Sequence, residues 1–509
     1  MADVSTIAPA PSAEPPPVAL FPFDNSYARL PDRFFARLAP TPGPEPRLVK
    51  LNQALARALN LDPEQLAAPS GIEVLAGNRL PLGAEPLAMA YAGHQFGNWV
   101  PLLGDGRALL LGEVIDRQGV RRDIQLKGAG RTPFSRSGDG RAVLGPVLRE
   151  YIVSEAMAAL GIQTTRSLAA VTTGEQIFRQ GPLPGAVLTR VARSHVRIGT
   201  FQFFASRDDV DGVRQLADYV IDRLYPQAAR APQPYRALLD AVIERTAALV
   251  ASWQLIGFIH GVMNTDNMSI AGETIDYGPC AFMDTYHPGT VYSSIDAGGR
   301  YAYGNQPRIA HWNLVRLAQA LLPLLGDDAD AAVAMAQEAI NAYPARFEAA
   351  WLAGLRRKLG LAQAHDGDMA LAQDLLNRMA ANSADFTLTF RRLSDAVDGD
   401  PAGSDAVRSL FDDPTSFDAW AAPWRQRLAQ EGRTAAACRA DMRTANPAFI
   451  PRNHRIEAVI VAAQNEADFT LLEELVTVLA TPYDDQPRFA HYTQPPQPHE
   501  VVQQTFCGT

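Results

Sequence analysis

The run His260-Gly261-Val262-Met263-Asn264-Thr265-Asp266-Asn267, followed by Ile275-Asp276-Tyr277-Gly278, holds side chains suited to chemistry on a phosphate. Asn267 and Asp276 are nine residues apart. The stretch between them reads as a small hairpin, with a short strand from Met268 to Ile270 and a tight turn at Gly272, and it is expected near the surface. An amide oxygen and a carboxylate at facing ends of such a loop suit Mg²⁺, a hard ion that takes a few protein oxygens and completes its octahedron with nucleotide phosphates and water. Mn²⁺ is an alternative ion. Asp and Asn beside glycines also form plain turns, so this motif alone leaves both readings open.

A second set of residues supplies positive charge. Of the 46 lysines and arginines only Lys50, Lys127 and Lys358 are lysine. A lysine kept inside a motif hints that a compact ammonium is wanted there, because a planar guanidinium is not an equivalent substitute. Glu150 lies 23 residues after Lys127, in a helical pattern that is apolar over most of its circumference, with Val153 and Met157 on the same side. A carboxylate facing protein needs a cation, and Lys127 is the natural partner. Gly104-Asp105-Gly106-Arg107 precedes a strand, where glycines let backbone amides approach a phosphate; by itself this G-x-G is a weak signal. The loop LKGAGRTPFSRSGDGR packs glycines with Arg131, Arg136, Asp139 and Arg141, and Arg190, Arg193 and Arg197 follow. If that last piece were helical its three arginines would share a face, and a solvated basic face is the plain alternative to an anion site.

The elements that must position these groups follow from periodicity. ALLLGEVID and VRRDIQLK, separated by Arg117-Gln118-Gly119, read as an antiparallel hairpin, and LAAVTTGEQIFR with GAVLTRVAR repeats the β texture. Between them PVLREYIVSEAMAALG reads as a helix with Pro146 at its first position and Gly161 as its C-terminal cap. A helix is also expected over Leu48 to Leu61, and after about Phe203 the pattern is predominantly helical to about Ala440. From Ala480 a segment rich in Pro, Gln and His reads as an irregular tail. The order of parts (glycine loop, strand lysine, helix glutamate, catalytic and metal loops) matches a nucleotide phosphotransferase. The expected class is α+β: a Pro/Ala leader over 1–20 without fixed structure, a β-rich nucleotide-binding part over 21–202, a helical part over 203–440 with the catalytic and metal loops, and a C-terminal extension over 441–509.

Composition narrows the function classes. Apolar residues make up 47% and charged residues 20% of 509 residues, which is ordinary globular usage and excludes a collagen-like or wholly disordered chain. The net charge of −9 repels polyphosphate at long range, so nucleic acid is not an expected partner, although a local basic pocket stays open, and the absence of a spanning segment makes a membrane an unexpected partner too. The first twenty residues contain no basic side chain, hence no signal-peptide or presequence pattern. The most apolar stretch, Leu249 to Met263, is interrupted by Gln254 and His260 and is too short to span a bilayer. Three cysteines, Cys280, Cys438 and Cys507, make neither a disulfide framework nor a C-x-x-C pair. A reducing, cytoplasmic location is expected.

Taken together, three stretches resemble the selenoprotein O family, also called YdiU, of protein adenylyltransferases with a kinase-like fold: YAGHQFGNWVPLLGDGRALLLGE, QLKGAGRTPFSRSGDGRAVLGPVLREY and HGVMNTDNMSIAGETIDYGPCAFMD. The resemblance runs over nearly the whole chain. It implies a two-lobed protein-kinase-like fold, with a β-rich N-lobe and a larger helical C-lobe, and transfer of AMP from ATP to Ser, Thr or Tyr hydroxyls of proteins, with the nucleotide flipped relative to protein kinases. It puts the nucleotide on Gly104, Gly106, Arg107, Lys127, Asp139, Gly140, Arg190 and Arg197, and Mg²⁺ on Asn267 and Asp276. Asp266 matches the family's proton acceptor, and Glu150 fits the ion-pair partner of Lys127. Val262 stands where a protein kinase has its catalytic aspartate, so a kinase-style base is missing. Two other readings bind the same nucleotide: a phosphotransferase moving the γ-phosphoryl group, and a catalytically silent ATP-binding scaffold. The family often carries cysteine or selenocysteine near its C-terminus, which implies a redox role for Cys507; its expected partner is Cys280, four residues beyond Asp276.

Overall fold

The computed structural model of the chain describes residues 19–506. The expected leader, apart from Ala19 and Leu20, lies outside the described residues, and so does Cys507. Leu20 already belongs to the fold, being 8% exposed and packed in an apolar cluster with Phe21.

The sheet that carries the site has eight strands. They are β1 (Phe35–Arg37), β2 (Arg47–Leu51), β3 (Leu87–Met89), β6 (Ala108–Ile115), β7 (Arg121–Lys127), β8 (Ala142–Val143), β9 (Arg166–Phe178) and β10 (Pro182–Ala192), with β4 (Gly93–Gln95) and β5 (Asn98–Val100) forming a separate hairpin. The order is β1-β3-β6-β7-β10-β9-β2, all antiparallel, with β8 added to β10. The hairpin expected from the sequence is present as β6–β7, and the second stretch of β texture forms another, β9–β10.

Alternation along these strands sorts their side chains onto two faces. Leu109, Leu111, Ile124, Leu126, Val187 and Val191 face one apolar layer, covered by α1 (Gln53–Ala58), α2 (Pro63–Ala67) and α3 (Pro69–Ala76). Gln125, Lys127, Leu188 and Arg190 fall on the other, which is covered by α4 (Leu144–Ala159). Chain alternation therefore decides that Lys127 and Arg190 meet the helix that carries Glu150.

Two local expectations are corrected. Leu48–Leu51 is not helical but part of β2, paired with β9, and Asn52 then caps α1 by accepting from Leu55 N. Strand pairing at the sheet edge overrides a short helical pattern that is ambiguous by itself. In α4, Pro146 is the third residue, because Val143 is still held in β8. Proline is tolerated there since the first-turn N–H groups have no intrahelical acceptor. Gly161 does end this helix region, at φ +81°.

The helical part begins with α5 (Ile198–Ala205), across residue 202 where the β-rich part was expected to end, and continues with α6 (Val210–Leu224) and α7 (Pro234–Leu255). A two-stranded ladder, β11 (Phe258–Ile259) with β12 (Ala281–Phe282), closes the base of the His260–Cys280 segment. Helices α8 (Gln306–Leu325), α9 (Ala329–Asn341), α10 (Tyr343–Lys358), α11 (Asp368–Ala381), α12 (Phe386–Leu393), α13 (Pro401–Arg408), α14 (Pro414–Ala429) and α15 (Ala435–Ala445) follow. The last two, α16 (Asn453–Glu466) and α17 (Thr470–Leu479), return to pack on α4, where Arg149 pairs with Glu457. Beyond Ala480 the chain is irregular apart from a 3₁₀ segment, Pro487–Thr493, and Thr505 anchors it by donating to Pro279 O at 2.6 Å. No helix among the described residues is long and apolar enough to cross a membrane.

Candidate functional site

A cavity of about 560 Å³ opens between the sheet and the 262–278 segment. Its walls are built around a chain of ion pairs. Lys127 Nζ donates to Glu150 Oε2 at 2.6 Å, and Arg190 Nε donates to Glu150 Oε1 at 2.6 Å. Arg190 Nη2 continues to Asp276 Oδ1 at 2.5 Å, and Arg197 Nη1 reaches Asp276 Oδ2 at 2.6 Å. Lys127 Nζ is also 3.9 Å from Asp276 Oδ1. Glu150 is 1% exposed, so the carboxylate expected to face protein does so and has two cations.

Arg197 Nη2 also lies 3.7 Å from Asp105 Oδ1, so three cations and three carboxylates interlock behind the cavity, and Arg107 and Arg136 add positive charge on its wall. Burial raises the Asp276 carboxyl, but Arg190, Arg197 and Lys127 outweigh it and hold it well below the usual carboxylate range. Glu150 is lowered in the same way, burial being outweighed by Arg190 and Lys127. Burial, with Arg190 alongside, pulls the Lys127 ammonium below its ordinary value in spite of Glu150. Such a cluster is held at the cost of desolvation, and an incoming anion relieves it.

The stretch from Arg190 to Arg197 is not helical, so the three arginines do not form one face. Arg190 lies within β10, opposite Gln125, and Arg197 stands at the N-cap of α5. Arg193 does not line the cavity; its backbone N–H donates to Glu273 Oε2 at 2.9 Å. His195 between them is fixed to Asp123, which accepts from both its N–H and its ring at 2.8 Å.

The glycine loops form the opposite wall. Gly104, at φ +76°, has no room for a side chain: a Cβ would lie 2.3 Å from Phe134 Cγ. At Gly106 a Cβ would meet Phe134 O at 3.0 Å, and at Gly140, φ +72°, it would fall 2.2 Å from the Gly130 carbonyl. These glycines stack the 128–141 loop on the 104–107 loop, an arrangement also held by Thr132 Oγ1 donating to Asp105 O at 2.7 Å. Asp139 lines the cavity with its carboxylate bound by Arg179 at 2.7 and 3.0 Å, and Arg107 and Arg136 line it as well. Arg141 is buried and tied to Thr41 O, Pro42 O and Glu175, and Arg131 lies outside the cavity wall.

The 262–278 segment departs from expectation in two ways. No strand forms at Met268–Ile270 and no hairpin joins Asn267 to Asp276; Ser269 bridges to Arg197 and Thr274 to Thr164. Each limb thus pairs with a different element instead of with the other. The loop is also mostly buried, not superficial, with Ile270 and Ile275 at 0% exposure, and Asp276 adopts φ +61°. Asn267 donates its amide to Val262 O at 2.9 Å, which leaves its side-chain oxygen as the free end. Asp266 lines the cavity with Asn267 and Asp276; burial, only partly opposed by Arg197, pushes its carboxyl up to about 6.

Every residue that the resemblance assigns to nucleotide, metal or proton transfer lines this one cavity, with Glu150 directly behind Lys127, whereas Arg131 and Arg193 of the arginine-rich stretches do not. Sequence reasoning missed Tyr91, which lies under Arg197 at 4.5 Å, together with Gln95 and Asn264. Tyr91 and Gln95 sit in the YAGHQFGNW stretch, whose polar residues carry no motif spacing of their own. Among the described residues no group of three or more His, Cys, Asp or Glu could hold a metal ion. Cys280 is buried and free, its thiol pushed up to about 12 by burial.

A family model described as protein adenylyltransferase SelO matches residues 17–480. Curated relatives named protein nucleotidyltransferase YdiU are similar over nearly the full chain. That of Methylorubrum extorquens is 68% identical over 496 residues, covering 96% of this chain and 100% of its own. That of a Bradyrhizobium species is 67% identical over 490 residues, covering 96% and 99%, and that of Rhodopseudomonas palustris 65% over 489, covering 96% and 99%. The matched span includes both walls of the cavity and the ion-pair chain between them, and an identity of this extent leaves no second family to consider: the chain is an enzyme of nucleotidyl transfer and belongs to the protein adenylyltransferase SelO family.

Proposed function

We propose that the enzyme binds ATP in this cavity and transfers AMP to Ser, Thr or Tyr hydroxyls of proteins, with pyrophosphate as the leaving group. The observation that carries this is the row of cations Lys127, Arg190 and Arg197, held in place by Glu150 and Asp276, along a cavity that Arg107 and Arg136 also line. A hydroxyl attacking the α-phosphorus drives charge onto the departing pyrophosphate, so cations are needed along the whole triphosphate. Lys127 and Arg190, fixed by Glu150, and Arg197, fixed by Asp276, supply them without reorganisation. Gly104, Gly106, Arg107, Asp139 and Gly140 form the remaining nucleotide wall. Asp266 orients the acceptor hydroxyl and takes its proton; its raised pKa suits that task near neutral pH.

The side-chain oxygen of Asn267 and the Asp276 carboxylate, both on the cavity wall, are the hard oxygen donors that would hold Mg²⁺ or Mn²⁺. When bound, the ion neutralises phosphate charge. The two-lobed kinase-like arrangement, with residues 21–202 against 203–440 and the extension 441–509, is part of this proposal; its support is that the cavity walls come from both parts and that α16 and α17 brace α4. Protein acceptors and ATP are the proposed partners, and the cytoplasm, where ATP and reduced thiols such as Cys280 and Cys438 coexist, is the proposed location. Incubation with ATP and Mg²⁺ followed by peptide mass spectrometry tests the reading: an AMP adduct on Ser, Thr or Tyr is expected, and a phosphate adduct in its place would contradict it.

A further inference from the structure

Asp266 is held from outside its own loop. The β4–β5 hairpin turns on Phe96-Gly97, both at positive φ (+53° and +86°), which is the two-residue geometry that lets antiparallel strands twist together. In β4, Gly93 and Gln95 share a face by alternation, and His94 takes the other. His94 is enclosed between Trp99 and Trp312, with ring centroids at 4.9 and 5.2 Å, and pairs with Gln202 of α5 at 2.9 Å. The opposite face therefore lies on the catalytic loop. His94 N donates to Thr265 Oγ1 at 2.7 Å and Phe96 N to Asn264 Oδ1 at 3.0 Å.

The contacts on Asp266 are asymmetric. Oδ1 is buried without a hydrogen-bond partner, and it lies where Gly93 has no side chain: a Cβ there would come within 2.6 Å of Oδ1 and 3.1 Å of Asp266 Cβ. Oδ2 accepts from Gln95 Nε2 at 3.4 Å, and both Gln95 and Asp266 line the cavity. Gly199 approaches from α5, where a Cβ would be 3.3 Å from Asp266 Cα. Backbone and hairpin thus leave Asp266 a single seat.

We propose that the β4–β5 hairpin selects the working oxygen of Asp266: Gly93 seats Oδ1 against backbone, and the Gln95 amide keeps Oδ2 turned toward the acceptor hydroxyl, so that Gly93 and Gln95 are positioning residues for adenylyl transfer. This rests on the reading of Asp266 as the proton acceptor. In the step it serves, the acceptor O–H proton goes to Oδ2, the hydroxyl oxygen bonds to the α-phosphorus, and the bond from that phosphorus to the bridging oxygen breaks, pyrophosphate leaving with the electron pair. The hairpin touches the aspartate, so its contribution is to the rate of this step and not to ATP affinity.

The test uses the full chain with Mg²⁺, α-labelled ATP and soluble lysate protein as acceptor, and compares wild type with Gln95→Leu, Gln95→Glu, Gly93→Ala and Asp266→Asn. Gln95→Leu and Gly93→Ala are expected to lower the rate at saturating ATP by about tenfold to a hundredfold, part of the 10²–10⁴ that a positioned base supplies, with half-saturating ATP within about twofold of wild type. Gln95→Glu, which faces one carboxylate with another, should be slower than Gln95→Leu, and Asp266→Asn should be slowest. Gln95→Leu at the wild-type rate while Asp266→Asn is inactive would overturn the proposal and leave the reading of Asp266 standing. A rise in half-saturating ATP that accounts for the loss would equally overturn it, by making Gln95 a nucleotide contact. Asp266→Asn at full activity would overturn the underlying reading itself. Gln95 is partly exposed, so Gln95→Leu is expected to melt with wild type and keeps the test decisive if Gly93→Ala folds poorly.

Discussion

Arg197 donates to the Asp276 carboxylate at 2.6 Å, and the same nitrogen reaches the main-chain oxygen of Asp266 at 2.8 Å. One guanidinium therefore fixes the spacing between the proposed proton acceptor and the proposed metal ligand. Because Arg197 and Arg190 are 3% and 2% exposed and both spend donors on Asp276, that carboxylate is structural as well as chemical.

Asp276→Ala should consequently abolish transfer and also destabilise the fold, by about 3 kcal/mol or more, the usual cost of leaving buried charges unpaired. Urea denaturation monitored by tryptophan fluorescence measures this. Wild-type stability in Asp276→Ala would mean that the two arginines find other partners.

Lys127→Ala should cut the transfer rate by about a hundredfold, within the range seen when one preorganised electrostatic donor is removed. Lys127→Arg should restore only a small part of that, since Arg190 already occupies the other oxygen of Glu150 and leaves no room for a second planar fork. Full activity in Lys127→Arg would refute both the geometry and the inference drawn from the scarcity of lysine.

Glu273 gives the fold a pH dependence. It is 4% exposed, and burial pushes its carboxyl from 4.5 up to about 7. A group whose pKa is raised on folding contributes stability that is fully present below the unfolded value and lost as pH rises through the folded one. From pH 4.5 to about 7 its contribution should fall by up to about 3 kcal/mol, at 1.36 kcal/mol per pKa unit. Glu273→Gln, which keeps an oxygen for Arg193 N, should flatten that slope and raise the melting temperature at pH 8. An unchanged profile would show that Glu273 is charged in the fold.

Cys280 should resist iodoacetamide in the native protein, because its thiol is buried and pushed up to about 12, which leaves almost no thiolate at neutral pH. Peptide mapping before and after denaturation checks this. Rapid native labelling would indicate that the Pro279 segment opens despite its anchor to Thr505.

The sequence made the β6–β7 hairpin, the strand character of β9 and β10, α4 and the Lys127–Glu150 pair legible, because alternation and periodicity dictate which face each side chain takes. Gly161 and the helical run after α5 were legible for the same reason. The Asn267–Asp276 hairpin was not there to be read: Ser269 and Thr274 pair with Arg197 and Thr164, distant residues whose approach no local pattern encodes. Leu48–Leu51 was misjudged because five residues of edge strand look like a helical turn until β9 is placed beside them. Gln95 and Gly93 escaped notice because their importance lies in what they touch across 171 and more residues of chain, and a lone Gln or Gly has no spacing to announce it.

In adenylyl transfer the α-phosphorus, with its adenosine, leaves ATP for a protein hydroxyl, whereas a kinase moves the γ-phosphorus alone. The direct measurement is a pair of parallel incubations of the purified enzyme with Mg²⁺ and acceptor protein, one with ATP labelled at the α position and one at the γ position. Protein-bound α-label without γ-label, absent in Asp266→Ala and Asp276→Ala, is the predicted result. Protein-bound γ-label alone would contradict the account and make the enzyme a kinase, and ATP binding without label from either position would make it a scaffold.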